Sequence, residues 1–266
     1  MGRILRTLLG LALLGVAFLT DTQPAAQSPT DLEALARQGP GAQLQARISR
    51  MERYVSDGQL LPALQNAEWM LLELRQRSLS DDELLGAGGA EELAKRVIHL
   101  RNDVLFKLQP GPRGKRGEFI RTLADAAVFS DWKLGVPASV TLAQAILESS
   151  WGRSAPGYAL FGIKGKGPSG SNLRKVVEYR GGKRVIRRDH FRAYDSWDAS
   201  IEDHAALLSK SRVYAKARAV SEDPDAFARA LQGTYASDPR YASKLSSFFD
   251  MYLLRRFDWN PRSPLP

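Results

Sequence analysis

The chain of 266 residues has no cysteine, which excludes disulfides, thiolate catalysis and cysteine-ligated zinc. Histidine is almost as scarce, with only His99, His190 and His204. Neither His190 nor His204 has an acidic or histidine neighbour at ligand spacing, so no metal site is expected. The opening segment carries one apolar run, Leu8 to Leu19. At about a dozen residues it is short for a helix that spans a bilayer. What the chain does have is an ordinary globular composition, 44% hydrophobic and 25% charged, enough to bury a sizeable core and too apolar for wholesale disorder. Its formal charge is +9, which favours an anionic partner.

The opening segment indicates where that partner is met. Arg3 and Arg6 precede the apolar run, and Asp21, Thr22, Gln23 and Pro24 follow it. Basic, apolar, then polar is the order of an export signal. Two readings of residues 1–26 stand: a cleaved signal, with Ala25 and Ala26 the nearest small residues, or an uncleaved N-terminal membrane anchor. Either one puts the bulk of the chain outside the cytoplasmic membrane, in the periplasm or cell envelope. Nucleic acid is therefore not the expected anion.

Residues 27–41, with Pro29, Gly39 and Pro40, read as a linker. Leu44, Ile48, Met51 and Val55 then recur at helical spacing, a second helix is expected from Gln59 to Arg77, and Leu93, Val97, Leu100 and Val104 form a third stripe. Residues 42–108 thus predict a small helical spacer or docking unit, whose partner the sequence does not name. "QPGPRGKRG", 109–117, reads as a second linker. A helix bearing Phe119, Leu123, Ala126 and Ala127 is expected to end near Gly135. The next carries Leu142 to Glu148, with Gly152 placed to end it. Two β-prone runs around Gly181-Gly182 predict a hairpin within 174–194. Helices resume at Ser196, from Asp225 to Leu231, and from Pro239 to about Arg255, with Asp238 as the cap of the last. Residues 118–257 form the expected second domain and 258–266 a tail. The pattern as a whole is α+β and mostly α.

Glu148 closes the apolar run Leu142-Ala143-Gln144-Ala145-Ile146-Leu147, and Trp151 follows three residues later. A carboxyl held against apolar surroundings resists ionisation and can serve as a general acid. A helix-end glutamate facing water fits the same spacing. The choice is made by resemblance. "AQAILESSWGRS", "YALFGIKG", "VVEYRGGKRV", "FRAYDSWDASIEDHAALL" and "TYASDPRYASKL" stand in that order. Together they resemble the family 73 glycoside hydrolases, peptidoglycan N-acetylglucosaminidases of autolysins and flagellar rod-cap hydrolases, over about residues 118–255.

The resemblance implies a lysozyme-like domain with a β-hairpin lobe over a sugar cleft. It also implies hydrolysis of the β-1,4 bond after N-acetylglucosamine, with no cofactor. Glu148 falls on the family's general acid. Glu178, on the hairpin, falls on its second carboxylate, although Val176-Val177 stand where the family has threonines. Glu178 then has three readings: the base of an inverting reaction, a helper to a substrate acetamido nucleophile, or a cross-strand partner of Arg180 or Lys183. Tyr235 falls on the active-site tyrosine, while Trp151, Phe161, Gly162 and Tyr241 are expected to bind substrate.

Arg113 to Arg192 hold sixteen Lys/Arg against six Asp/Glu, a basic surface suited to the carboxylates of peptidoglycan glycan strands and their stem peptides. A lytic transglycosylase or muramidase of the same fold, and an inactive wall-binding module, are the alternatives. The family's "LFGIKG" in place of "GLMQ" speaks against the transglycosylase.

Overall fold

The structure, a computed structural model, describes residues 40–79, 89–180 and 183–259. The expected leader, most of the first linker, the turn at Ser80–Glu83, the Gly181-Gly182 turn and the end of the tail lie outside the described residues. The chain divides between Gln45 and Ala46. Of the first unit the described residues include only the opening of helix α1 (Pro40–Ser56).

In the second unit, α2 (Leu60–Leu79) and α3 (Gly89–Leu108) pack along each other. Ala63, Leu64, Ala67, Met70, Leu71 and Leu74 form the buried stripe of α2. On α3 the buried stripe is Ala94, Val97, Ile98, Arg101, Val104 and Leu105, and Leu93 and Leu100 are only half-buried. The stripe is turned by one residue from the expected one, because Arg101 goes inward.

Arg101 changes the domain picture. It is 3% exposed. Its Nε donates to Glu68, and its Nη2 donates to the Asp258 carbonyl oxygen at 3.3 Å. The Trp132 indole N–H donates to the Leu71 carbonyl at 2.8 Å. Residues 46–108 are thus joined to the C-terminal part as one compact unit. The stretch 109–117, expected as a linker, is a corner: α4 (Gly114–Leu134) already starts within it. Periodicity showed that the stripes were apolar, but not what they faced.

Helix α4 ends at Gly135, left-handed at φ 68°, as glycine allows. Helix α5 (Ala138–Ser149) follows after Val136-Pro137. A short 3₁₀ turn (Pro156–Tyr158) leads through a loop to β1 (Ser171–Arg180) and β2 (Lys183–Arg192). These strands pair antiparallel, with Ser171 opposite Arg192 and Glu178 opposite Val185. Then come α6 (Trp197–Lys210), the single turn α7 (Ala215–Arg218), α8 (Pro224–Leu231), α9 (Tyr241–Met251) and a 3₁₀ turn, Leu254–Phe257. Ser196 caps α6, and Asp223 caps α8, accepting from the Asp225 and Ala226 N–H groups.

Helix α9 starts later than expected. Asp238 accepts from the Arg240 N–H at 2.8 Å and pairs with Lys244. It therefore closes a turn before the helix rather than capping it. Among the described residues, no helix is long and apolar enough to cross a membrane, and no group of three His, Cys, Asp or Glu could hold a metal ion. Among the described residues the architecture is mostly helical with one two-stranded sheet, the mostly α, α+β class that was expected.

Candidate active site

Helix α5 is buried along nearly its whole length. Ala138 to Ile146 are all covered, and α4, α8, α9 and the last 3₁₀ turn pack around them. The helix meets solvent only at its C-terminal end, where Leu147 is half-buried and Glu148 exposed. There the chain turns sharply. Ser150 (φ 51°), Trp151 (φ 64°) and Gly152 (φ 76°) are left-handed in succession. The stop expected of Gly152 alone is thus made by Ser150, whose N–H returns to the Ile146 carbonyl. Two non-glycine residues in this conformation cost roughly 1–2 kcal/mol each. Local bonds hold them: Ser149 Oγ donates to the Ala145 carbonyl and accepts from the Gly152 N–H at 2.7 Å.

Glu148 stands at the mouth of this turn. Although the residue is exposed by area, its carboxyl lies between α5 and α9. Burial there raises its pKa above the usual carboxylate range, while the Tyr241 hydroxyl and the Lys244 charge pull it back. Tyr241 is 2% exposed and donates to Glu148 Oε1 at 3.1 Å. Gln144, wholly buried one turn earlier on α5, donates from Nε2 to the Tyr241 oxygen at 2.9 Å.

Tyr235 completes the group. Its ring stacks on Tyr241, centroids 5.9 Å apart, and its hydroxyl points to the Phe161 carbonyl at 3.4 Å. Burial pushes this phenol's pKa well up, and the nearby Glu148 charge adds to the shift. Glu148, Tyr235 and Tyr241 are therefore brought together. Phe161 joins them only through its backbone: its ring is 4% exposed and stacks at 3.8 Å on His204. Gly162 follows at φ 58°, with no atom within 4 Å of where a side chain would start.

Trp151 belongs to an aromatic cluster. Its ring meets Phe119 and Tyr252 edge-on, at 5.8 and 4.9 Å, and the Arg116 guanidinium lies over it at 5.3 Å. The indole anchors the turn after α5 in an aromatic cluster. Glu178 belongs to the distal half of the hairpin; its backbone pairs with Val185, and its side chain lies outside the described residues.

The base of the hairpin is well secured. Arg192 donates twice to Asp203 on α6, at 2.8 and 2.7 Å, and the Tyr194 hydroxyl donates to the same carboxylate at 2.6 Å. The Gly165 N–H bonds to the His190 carbonyl and the Arg192 N–H to the Ile163 carbonyl, both at 2.8 Å. The loop bearing Phe161 and Gly162 is thereby tied to β2. Sequence reasoning missed this network and Gln144. A lone amide inside the apolar run 142–147 was the available signal for Gln144; Asp203 had none in spacing. His204 is structural: it is wholly buried, and burial lowers its pKa to about 3, so it stays neutral. Two cavities of about 300 and 320 Å³, beside Arg256 and Trp259, do not include Glu148.

The family model described as mannosyl-glycoprotein endo-beta-N-acetylglucosaminidase matches residues 124–254. The chain is 41% identical over 150 residues to a probable N-acetylmuramidase of Lactococcus lactis subsp. lactis (strain IL1403), covering 53% of this chain and 34% of that protein. It is 36% identical over 148 residues to the exo-glucosaminidase LytG of Bacillus subtilis, covering 53% of this chain and 52% of that one. Among solved structures, the catalytic domain of the autolysin Auto from Listeria monocytogenes is 34% identical. That match has a TM-score of 0.51 and covers 59% of this chain and 95% of that domain. The chain thus spans about a third of the muramidase's length and about half of the glucosaminidase's. From residue 124 to 254, in a stretch that includes Glu148, Tyr235 and Tyr241, the chain belongs to the glucosaminidase family, family 73 of the glycoside hydrolases.

Proposed function

We propose that this protein is an exported peptidoglycan hydrolase that cleaves the β-1,4 bond after N-acetylglucosamine in glycan strands. Glu148 is its general acid. The observation that carries the reading is the placement of Glu148: a carboxyl raised by burial, at the open end of an otherwise buried helix, beside two tyrosines. Protonated, it can donate to the leaving glycosidic oxygen. Tyr235 orients the acetamido group or the attacking water. The second carboxyl role falls to Glu178 or, in a substrate-assisted reaction, to the acetamido group itself. Protein and substrate groups suffice for either route. The N-terminal segment delivers the enzyme to the periplasm or cell envelope as a cleaved signal or an anchor. The basic stretch 113–192 holds the acidic polymer.

A muramidase reading has one specific support, the name carried by the Lactococcus relative. Mass spectrometry of muropeptides after digestion separates the possibilities. The proposal expects N-acetylglucosamine at the new reducing ends, and a Glu148→Gln variant at least a hundredfold slower, since acid catalysis supplies roughly 10²–10⁴-fold. N-acetylmuramic ends would make it a muramidase, 1,6-anhydro ends a transglycosylase, and binding without cleavage a wall-binding module. A folded Glu148→Gln variant with a tenth of wild-type turnover would remove Glu148 as the acid.

A further inference from the structure

Gln144 and Glu148 lie one helical turn apart on α5, and Tyr241, the first residue of α9, brings its hydroxyl between them. From this geometry we infer that Gln144 and Tyr241 form a positioning pair that reserves Glu148 Oε1 as an acceptor and confines the transferable proton to Oε2. The inference rests on the reading of Glu148 as an acid and adds which of its oxygens acts.

The argument is one of hydrogen-bond direction. The Gln144 amide nitrogen only donates, and at 2.9 Å it occupies an acceptor position of the Tyr241 oxygen. The phenol has one proton of its own, and Glu148 Oε1 at 3.1 Å is the acceptor that remains for it. Were Oε1 to carry the acid proton, the phenol would face only the weaker hydroxyl-type acceptor, or would accept from both sides with its own proton left unpartnered in a buried place. Both are less favourable than donation to an unprotonated Oε1. The acid proton therefore sits on Oε2. Once it has been given to the leaving group, the Tyr241 bond steadies the carboxylate left behind.

Turning the amide of Gln144 over would reverse the relay. Tyr241 would donate to Gln144 and accept from a protonated Oε1. In the structure it is the amide oxygen of Gln144, not its NH₂ group, that is left unpartnered. Buried orphan N–H groups are the rarer of the two. Tyr241 is buried and both sides of its hydroxyl are taken, so it acts through Glu148 rather than on substrate. It is thus a positioning residue, not the substrate contact expected of it.

The test follows the titration of Glu148 directly, by carbon NMR of the full-length protein labelled in its glutamate carboxyls and without substrate. The Glu148→Gln spectrum identifies the resonance. In Tyr241→Phe the proton affinity of Glu148 should rise, by about tenfold, because a donor to the carboxylate is lost. Gln144→Met should move it the same way by less. A fall in affinity in Tyr241→Phe would establish the reversed relay and overturn the inference, and an unchanged titration in both folded variants would overturn it too. The measurement needs no turnover, so a protein that failed to cleave peptidoglycan would still report on this pair.

Discussion

At the base of α5 stand two carboxyl groups, Asp131 buried and Asp258 half-buried, and the Asp258 proton should set much of the pH dependence of stability. Asp131 Oδ2 accepts from the Ala138 N–H at 3.1 Å and the Trp259 N–H at 2.9 Å. Asp258 Oδ1 accepts from the Ser139 N–H at 2.7 Å. Burial pushes the Asp258 pKa up to about 7. Burial, and then the neighbouring Asp258 charge, push Asp131 up as well. The unfolded chain releases the Asp258 proton near the ordinary carboxylate value of 3.8. Between about pH 4 and 7 the native state therefore keeps the Asp258 proton that the unfolded state has released. A raised carboxyl pKa favours the fold at low pH, and that advantage is lost as pH climbs to the folded value. One proton gives a slope of about 1.4 kcal/mol per pH unit that halves as pH reaches the folded value, so roughly 2 kcal/mol is lost from pH 5 to 7, and little more above it. Asp258→Asn keeps an oxygen for the Ser139 N–H and removes the titration. Urea unfolding at pH 5, 6, 7 and 8 measures both proteins, and the difference between the two curves isolates this site from other titrating groups. A wild-type curve parallel to that of Asp258→Asn would refute the reasoning.

Three further outcomes test separate parts of the structure. Trp151→Ala should lose roughly 2–4 kcal/mol in denaturant unfolding, because its half-buried ring packs on Phe119 and Tyr252; an unchanged midpoint with weakened substrate binding would return Trp151 to the cleft. Arg101→Met should lose about 3–5 kcal/mol and loosen α2 and α3 together, since Glu68 would be left partly buried without its partner; hydrogen exchange confined to α3 alone would contradict the single compact unit. If Glu178 is the base, Glu178→Gln should be nearly as inactive as Glu148→Gln and wild type should release the α-anomer. About tenfold loss with a β-anomer, read by NMR of the first product, would assign that work to the acetamido group.

Much of this arrangement was legible in the sequence because it is local. The stripe of α1, the second helix, the hairpin, the helices after Ser196 and from about Asp225 to Leu231, and the Gly135 stop follow from spacing and from residue types with one strong preference. Features that depend on distant partners were not legible. Arg101 reads as a surface residue until Glu68 and the Asp258 carbonyl, far away in sequence, are seen to take it inward. Trp151 sits in a motif that the resemblance ties to substrate, but its ring is held by Phe119 and Tyr252, from two different helical regions. The late start of α9 turned on whether Asp238 caps a helix or closes a turn, and Lys244 and the Arg240 N–H decide that together.

The same contrast explains why Glu148 can be raised and yet exposed. An acid on a flexible surface would relax into water and regain an ordinary pKa; this one cannot, because its helix is fixed at both ends. At the N-terminus, Asp131 and Asp258 hold the first two N–H groups of α5 from two separate segments. At the C-terminus, the left-handed residues Ser150 and Trp151 and the indole's aromatic cluster stop the chain from unwinding past Ser149. Between them every residue from Ala138 to Ile146 is packed. Glu148 is therefore exposed by its place at the end of α5 and not by any freedom of its helix. Its carboxyl stays against Tyr241, and burial there keeps its pKa raised although that hydroxyl donates to it.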